Sequence, residues 1–222
     1  MVILKLLLLI GIAVKNIDIC WKIEYNWCGV YGGGFNMKKK HIILAGTSRS
    51  GKTTLSMELA KLDYTHYKMD PIKRALYGSI IDEDGSNWEE VSPKMAKIIG
   101  QILKDNKTDT DYNQEHYVID TCHLFPHDAK TIEDEDTKVI FLGYADSSVD
   151  ERLKEIREND KDNYWTSKLS DDELKKLLQQ NIDFSNQIKN ECEQYGISYY
   201  DTGKSREETL KKIYEDIESD QI

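Results

Sequence analysis

The stretch His41-Ile42-Ile43-Leu44-Ala45-Gly46-Thr47-Ser48-Arg49-Ser50-Gly51-Lys52-Thr53-Thr54 decides how this chain is read. Its first five residues form a continuous apolar run apart from His41, the pattern of a strand buried on both faces of a parallel sheet. The next eight match GxxxxGK[ST] at every fixed position. Leu55, Leu59 and Leu62 then recur at helical spacing, which predicts an amphipathic helix. A strand, a glycine-bearing loop and a helix in this order aim backbone N–H groups and a helix N-terminus at phosphate. Gly46 and Gly51 let the loop close, Lys52 brings a positive charge to the β and γ groups, and Thr53 offers a hydroxyl to Mg²⁺. The segment Gly46, Thr47, Ser48, Arg49, Ser50, Gly51, Lys52, Thr53 and Thr54 is therefore expected to hold a nucleoside triphosphate, with ATP and Mg²⁺ as the cofactors.

Working outward, short β-branched or aromatic runs alternate with longer amphipathic stretches, the signature of a parallel sheet wrapped by helices. Five strands are expected: His41–Ala45, Thr65–Met69, His116–Asp120, Lys138–Gly143 and Ile197–Tyr200. Ser92-Pro93 reads as an N-cap and first helical residue, followed by Met95, Ile98, Ile99, Ile102 and Leu103 on one face. Ser147 with Asp150 and Ser148 with Glu151 are capping-box pairs for a charged helix reaching about Asn159. Ser170 followed by Asp171, Asp172 and Glu173 starts a long helix that Gly196 stops. Asp105 to Glu115 and Glu133 to Asp136 read as solvated loops.

With 222 residues and 39% hydrophobic content, the chain accommodates one well-buried α/β core. Its formal charge of −10 argues against a long nucleic-acid track, which needs many phosphates neutralised by Lys and Arg. Cys20, Cys28, Cys122 and Cys192 have neither CxxC nor zinc spacing, so a reducing cytoplasm fits best. Cys122, His123 and His127 lie close together, but a metal site would need distant partners to complete it; they are read as loop residues beside the nucleotide.

The opening MVILKLLLLIGIAV is too short an apolar run to span a bilayer and resembles a signal-peptide core. Gly32-Gly33-Gly34 can be encoded as GGAGGAGG, a ribosome-binding sequence just upstream of Met37-Lys38-Lys39-Lys40. Residues 1–36 are accordingly expected to be leader translated from a misplaced start or a flexible extension, and residues 37–222 the folded domain. No stable membrane span is expected, and the sequence leaves the oligomeric state open.

With its P-loop, strand pattern and helices, the chain from about Lys38 onward resembles the small P-loop kinases of nucleosides, nucleotides and small metabolites. The resemblance implies a three-layer P-loop NTPase fold with a five-stranded parallel sheet in the order 2-3-1-4-5. It also implies a helical lid at about residues 150–170, and phosphoryl transfer from ATP to a small-molecule acceptor. Asp70, in Tyr67-Lys68-Met69-Asp70-Pro71-Ile72-Lys73-Arg74, looks like the substrate-facing acid of such kinases. It would accept the acceptor's proton while Arg74 holds an anionic substrate, or else cap the helix begun by Pro71. Asp120 resembles a Walker-B acid that binds Mg²⁺ or positions the acceptor. Arg152 and Arg157 lie where family members carry lid arginines, although ion pairs on the helix surface explain them equally well. Tyr164-Trp165 is expected under the lid or against substrate, and Asp201-Thr202-Gly203-Lys204-Ser205 against the base.

Two other functions compete. Asn106-Lys107-Thr108-Asp109 matches the guanine signature of GTPases, but it precedes the third strand and Asp120-Thr121-Cys122-His123 lacks the DxxG glycine. An ATPase would usually carry a second acid after Asp120, where this chain has Thr121; a non-catalytic nucleotide-binding regulatory protein is compatible with the same motif.

Overall fold

The computed structural model describes residues 39–76, 87–108, 115–159 and 165–219. Its strands are β1 (His41–Gly46), β2 (Tyr64–Lys68), β3 (His116–Asp120), β4 (Thr137–Gly143) and β5 (Ser198–Asp201). All neighbours pair in parallel, in the order β2-β3-β1-β4-β5. Each strand lies within one residue of its sequence expectation. The apolar runs end up covered on both faces because the sheet divides them by parity. Ile43, Ala45, Ile119, Val139 and Phe141 point into one core layer. Ile42, Leu44, Val118, Ile140 and Leu142 point into the other.

The helices supply the outer layers. On one side, α1 (Lys52–Leu59) brings Leu55 and Leu59, and α7 (Arg206–Glu218) brings Leu210, Ile213 and Ile217. On the other, α2 (Met69–Ala75), α3 (Trp88–Thr108), α4 (Pro126–Ala129) and α6 (Asp171–Tyr195) cover the sheet through Met69, Met95, Ile99, Leu103, Ala129, Ile188 and Cys192. α5 (Val149–Asn159) packs on α6 through Ile156, Leu174 and Leu178.

Three helix starts are informative. Ser170 makes the complete capping box: its hydroxyl accepts from the Glu173 N–H, and Glu173 accepts from the Ser170 N–H at 2.9 Å. Ser148, not Ser147, caps α5, with its N–H donating to Glu151 at 3.0 Å. The start expected at Ser92-Pro93 is corrected: α3 begins at Trp88 and carries Pro93 inside it. Tertiary contacts hold that extra turn. Trp88 packs edge-on against Phe125 and Phe184, and the buried Ser92 donates to Asp128 at 2.5 Å while accepting from the Phe125 N–H at 2.8 Å. The same helix continues through Thr108, into the stretch read as loop.

Candidate active site

The P-loop runs from the end of β1 to the start of α1, and its backbone is tied to its neighbours on several sides. Gly46 has φ 115°, and a Cβ there would lie 2.1 Å from the Leu142 carbonyl oxygen, the atom that accepts from the Thr47 N–H at 3.0 Å. Glycine is thus required by conformation and by closeness to β4. Gly51 has φ 102°, and a Cβ would meet Leu210 of α7 at 3.0 Å and Arg206 Nε at 3.2 Å. The Thr47 hydroxyl bonds Ser185 of α6 at 2.6 Å, and the Tyr144 hydroxyl donates to the Ser48 carbonyl at 3.0 Å. Burial holds the Tyr144 phenol up at about 12, so it stays a donor. Lys52, only 4% exposed, donates to the Thr47 carbonyl at 2.6 Å, folded back along the loop. Arg49 adopts φ 66° at the tip.

Parallel pairing sets the acids. Leu44 registers with Asp120, so the end of β3 lies beside the end of β1. There Asp120 accepts from the Thr53 hydroxyl at 2.5 Å. Asp70 sits in the first turn of α2, which starts at Met69, so it does not cap that helix. Its side chain is 52% exposed and lines the same cleft, of about 510 Å³, as Ser48, Lys52, Thr53 and Asp120. The neighbouring basic residues divide differently from the sequence reading. Arg74 is exposed, whereas Lys73 turns inward and donates to His123 Nε2 at 2.5 Å. That bond leaves the His123 proton on Nδ1, 3.6 Å from Asp70. Burial, then the Lys73 charge, pulls the His123 pKa down to about 4. Cys122 lines the cleft as well; burial pushes its thiol up and Lys52 opposes this, which keeps it a poor nucleophile.

The two arginines expected at a lid part company. Arg152 is 1% exposed, lies 4.2 Å over the Tyr144 ring, donates to the Arg49 carbonyl at 3.2 Å and pairs with Glu155. It braces the P-loop tip. Arg157 holds the start of α6, donating to the Thr166 and Leu169 carbonyls at 3.1 and 2.7 Å and to Asp171 at 2.9 Å. It is not among the residues lining the cleft. Trp165, 51% exposed, does line it, while Tyr164 falls outside the described residues. Gly203, Lys204 and Ser205 line a neighbouring cavity of about 850 Å³. Asn106 and Lys107 of the GTPase-like motif lie at the far ends of the strands: Asn106 donates to the Glu115 carbonyl and Lys107 pairs with Asp134. His127 lies in α4 against Glu191.

Arg206, which the sequence reading missed, lines both the cleft and the cavity. The available signal was its place directly after the expected base-contacting loop.

These residues fit a magnesium triphosphate. The Thr53 and Asp120 oxygens form a hard pair suited to Mg²⁺. Ser50 Oγ is buried at the loop with no hydrogen-bond partner among the described residues.

No protein-family model matches the sequence, and no curated protein matches it. Among solved structures, the chain is similar to a shikimate kinase from Bacteroides thetaiotaomicron at 18% identity and TM-score 0.50, over 81% of this chain and 98% of that one. It is also similar to a gluconokinase from Sinorhizobium meliloti 1021 at 14% identity and TM-score 0.51, over 83% and 94%. With its strand order and its P-loop at the end of β1, the chain has the fold of the small P-loop kinases, a three-layer P-loop NTPase architecture.

Proposed function

We propose that the chain is an ATP-dependent phosphotransferase acting on a small hydroxyl-bearing metabolite, of the nucleoside, nucleotide or sugar-like kind. The observation that carries this reading is that one cleft joins the P-loop, the Thr53–Asp120 pair and the exposed Asp70 carboxylate. Lys52 and the loop amides grip the phosphates, as P-loops do. Thr53 and Asp120 hold Mg²⁺, which when bound neutralises charge on the β and γ oxygens. Asp70 faces the acceptor and takes its hydroxyl proton. Thr121 follows Asp120 in place of a second acid, which favours transfer to a bound acceptor over water. The kinases named above support this direction by their fold. An activity that consumes ATP belongs with the cytoplasmic nucleotide pool, and no helix among the described residues is long and apolar enough to cross a membrane.

The test is ADP release across a panel of nucleosides, nucleotides, sugars and sugar acids, preceded by thermal-shift screening with a non-hydrolysable ATP analogue, since a specific ligand raises apparent stability by mass action. Acceptor-dependent ADP release is the expected result. Equal release without acceptor would make the chain an ATPase, and ATP binding with no release a nucleotide-binding regulatory protein.

A further inference from the structure

Arg206 opens α7, where a cation opposes the positive end of the helix dipole. Ser205 before it contributes no side-chain cap. The side chain is partly withdrawn from water, 36% exposed, and lies across the P-loop. Its Nε stands 3.2 Å from the point where a side chain at Gly51 would begin, and its Nη2 lies 3.4 Å from the Thr54 hydroxyl. Its Nη1 is 3.8 Å from Glu155, the carboxylate that also pairs with Arg152. Burial, with the Arg152 and Arg49 charges adding to it against Glu155, lowers the Arg206 pKa. Three guanidiniums thus gather around one wall of the loop, two of them on a single carboxylate, while Glu207 and Glu208 offset the helix end itself. An anion at this point relieves the crowding of like charge.

Position says which anion. Arg206 lines the phosphate cleft on one side and, on the other, the larger cavity bounded by Gly203, Lys204 and Ser205. A nucleotide whose phosphates lie on the P-loop and whose nucleoside enters that cavity must pass its innermost phosphate beneath the guanidinium. We infer that Arg206 is a nucleotide-binding residue that grips the phosphate nearest the nucleoside. The planar fork of N–H donors suits two oxygens of one phosphate, and the N–H groups of the α7 first turn add to it. Glu155 is the counterion that holds the guanidinium in place when no phosphate does. This assignment rests on the P-loop reading of the site.

The experiment is calorimetric titration of the full chain and its Arg206→Gln and Arg206→Lys variants with two probes, MgATP and magnesium tripolyphosphate. Arg206→Gln is expected to weaken both probes by about tenfold and Arg206→Lys by less, since lysine keeps the charge and loses the fork. The unliganded Arg206→Gln protein is expected to melt at or slightly above the wild-type temperature, because a cation leaves the helix N-terminus. Unchanged affinity in Arg206→Gln overturns the inference, as does a loss confined to MgATP, which would place the contact on the base. An unliganded variant that melts well below wild type would make the residue structural and overturn it too. Wild-type protein that binds neither probe would bring down the P-loop reading itself.

Discussion

Lys52 is a buried cation whose ammonium is held by a backbone carbonyl of its own loop. On the proposed reading its charge serves the phosphates and not the apolar core, so Lys52→Ala is expected to fold normally and to lose MgATP affinity on the order of a hundredfold. Circular dichroism with nucleotide titration checks both halves. Asp70 and Asp120 are expected to behave otherwise, because Asp120 ends β3 and Asp70 lies just beyond the end of β2, in the first turn of α2, on the side where ligands of parallel sheets collect. Asp70→Asn and Asp120→Asn should keep nucleotide affinity within about tenfold, or ~1.4 kcal/mol. Single-turnover transfer should fall by about a hundredfold or more. Near-normal transfer in both would reduce the two acids to structural roles. The P-loop segment and the strand-ending Asp120 were legible in the sequence because each rests on a local rule, a spaced motif or an acid ending an apolar run; Asp70 was read at the end of a strand and stands instead in the first turn of α2. The choice between Lys73 and Arg74 was not legible. Only the packing of α2 against the loop after β3 turns Lys73 toward His123 and leaves Arg74 in solvent.

Helix starts followed the same division. At Ser170 four consecutive residues decide the start: the acids read in the first turn are there, and Glu173 in addition closes a capping box with Ser170 that the sequence reading did not name. The exposed Ser170 hydroxyl satisfies an N–H that would otherwise lack a partner, so Ser170→Ala is expected to cost about 1 kcal/mol. That corresponds to roughly 2–4 °C in melting temperature for a chain of this size, measurable by calorimetry; no change would mean that packing of Leu174 and Leu178 alone holds the helix start. At Ser92-Pro93 the local rule failed. A proline inside a helix forfeits a backbone hydrogen bond, yet by extending the helix one turn further back Val91 gains a buried place and the half-buried Trp88 its ring contacts with Phe125 and Phe184. Ser92, read as a cap, instead joins α3 to the segment after β3.

The whole domain buries titratable groups whose protonation couples to folding. His41, which accepts from the Tyr117 N–H, is pulled down to about 4 by burial, with the His116 charge adding to it. His123 is held at about 4 by burial and Lys73. Unfolded histidine titrates near 6.5, so between roughly pH 6.5 and 4 the unfolded chain binds more protons than the folded one. Stability is therefore expected to hold above pH 7 and to fall as pH drops through that window. Carboxylates lowered by hydrogen bonds, such as Asp146 and Glu151, add their loss only at lower pH. Melting temperatures from pH 8 to 4.5 for wild type and His41→Gln check this; a profile as steep in the variant as in wild type would acquit His41.

The sequence alone determined the sheet and the loop between β1 and α1, because apolar runs must be covered on both faces and because the glycines of GxxxxGK[ST] set a turn between strand and helix. Tertiary structure decided what surrounds them. Gly51 is open not only for its own backbone angle but for the approach of Leu210 and Arg206, residues more than a hundred and fifty positions away. Arg152 and Arg157 read alike on one charged helix, and only its docking sends the first to the loop tip and the second to the start of α6. Spacing along a chain tells which side chains share a face of a helix; what that face meets depends on how the layers stack.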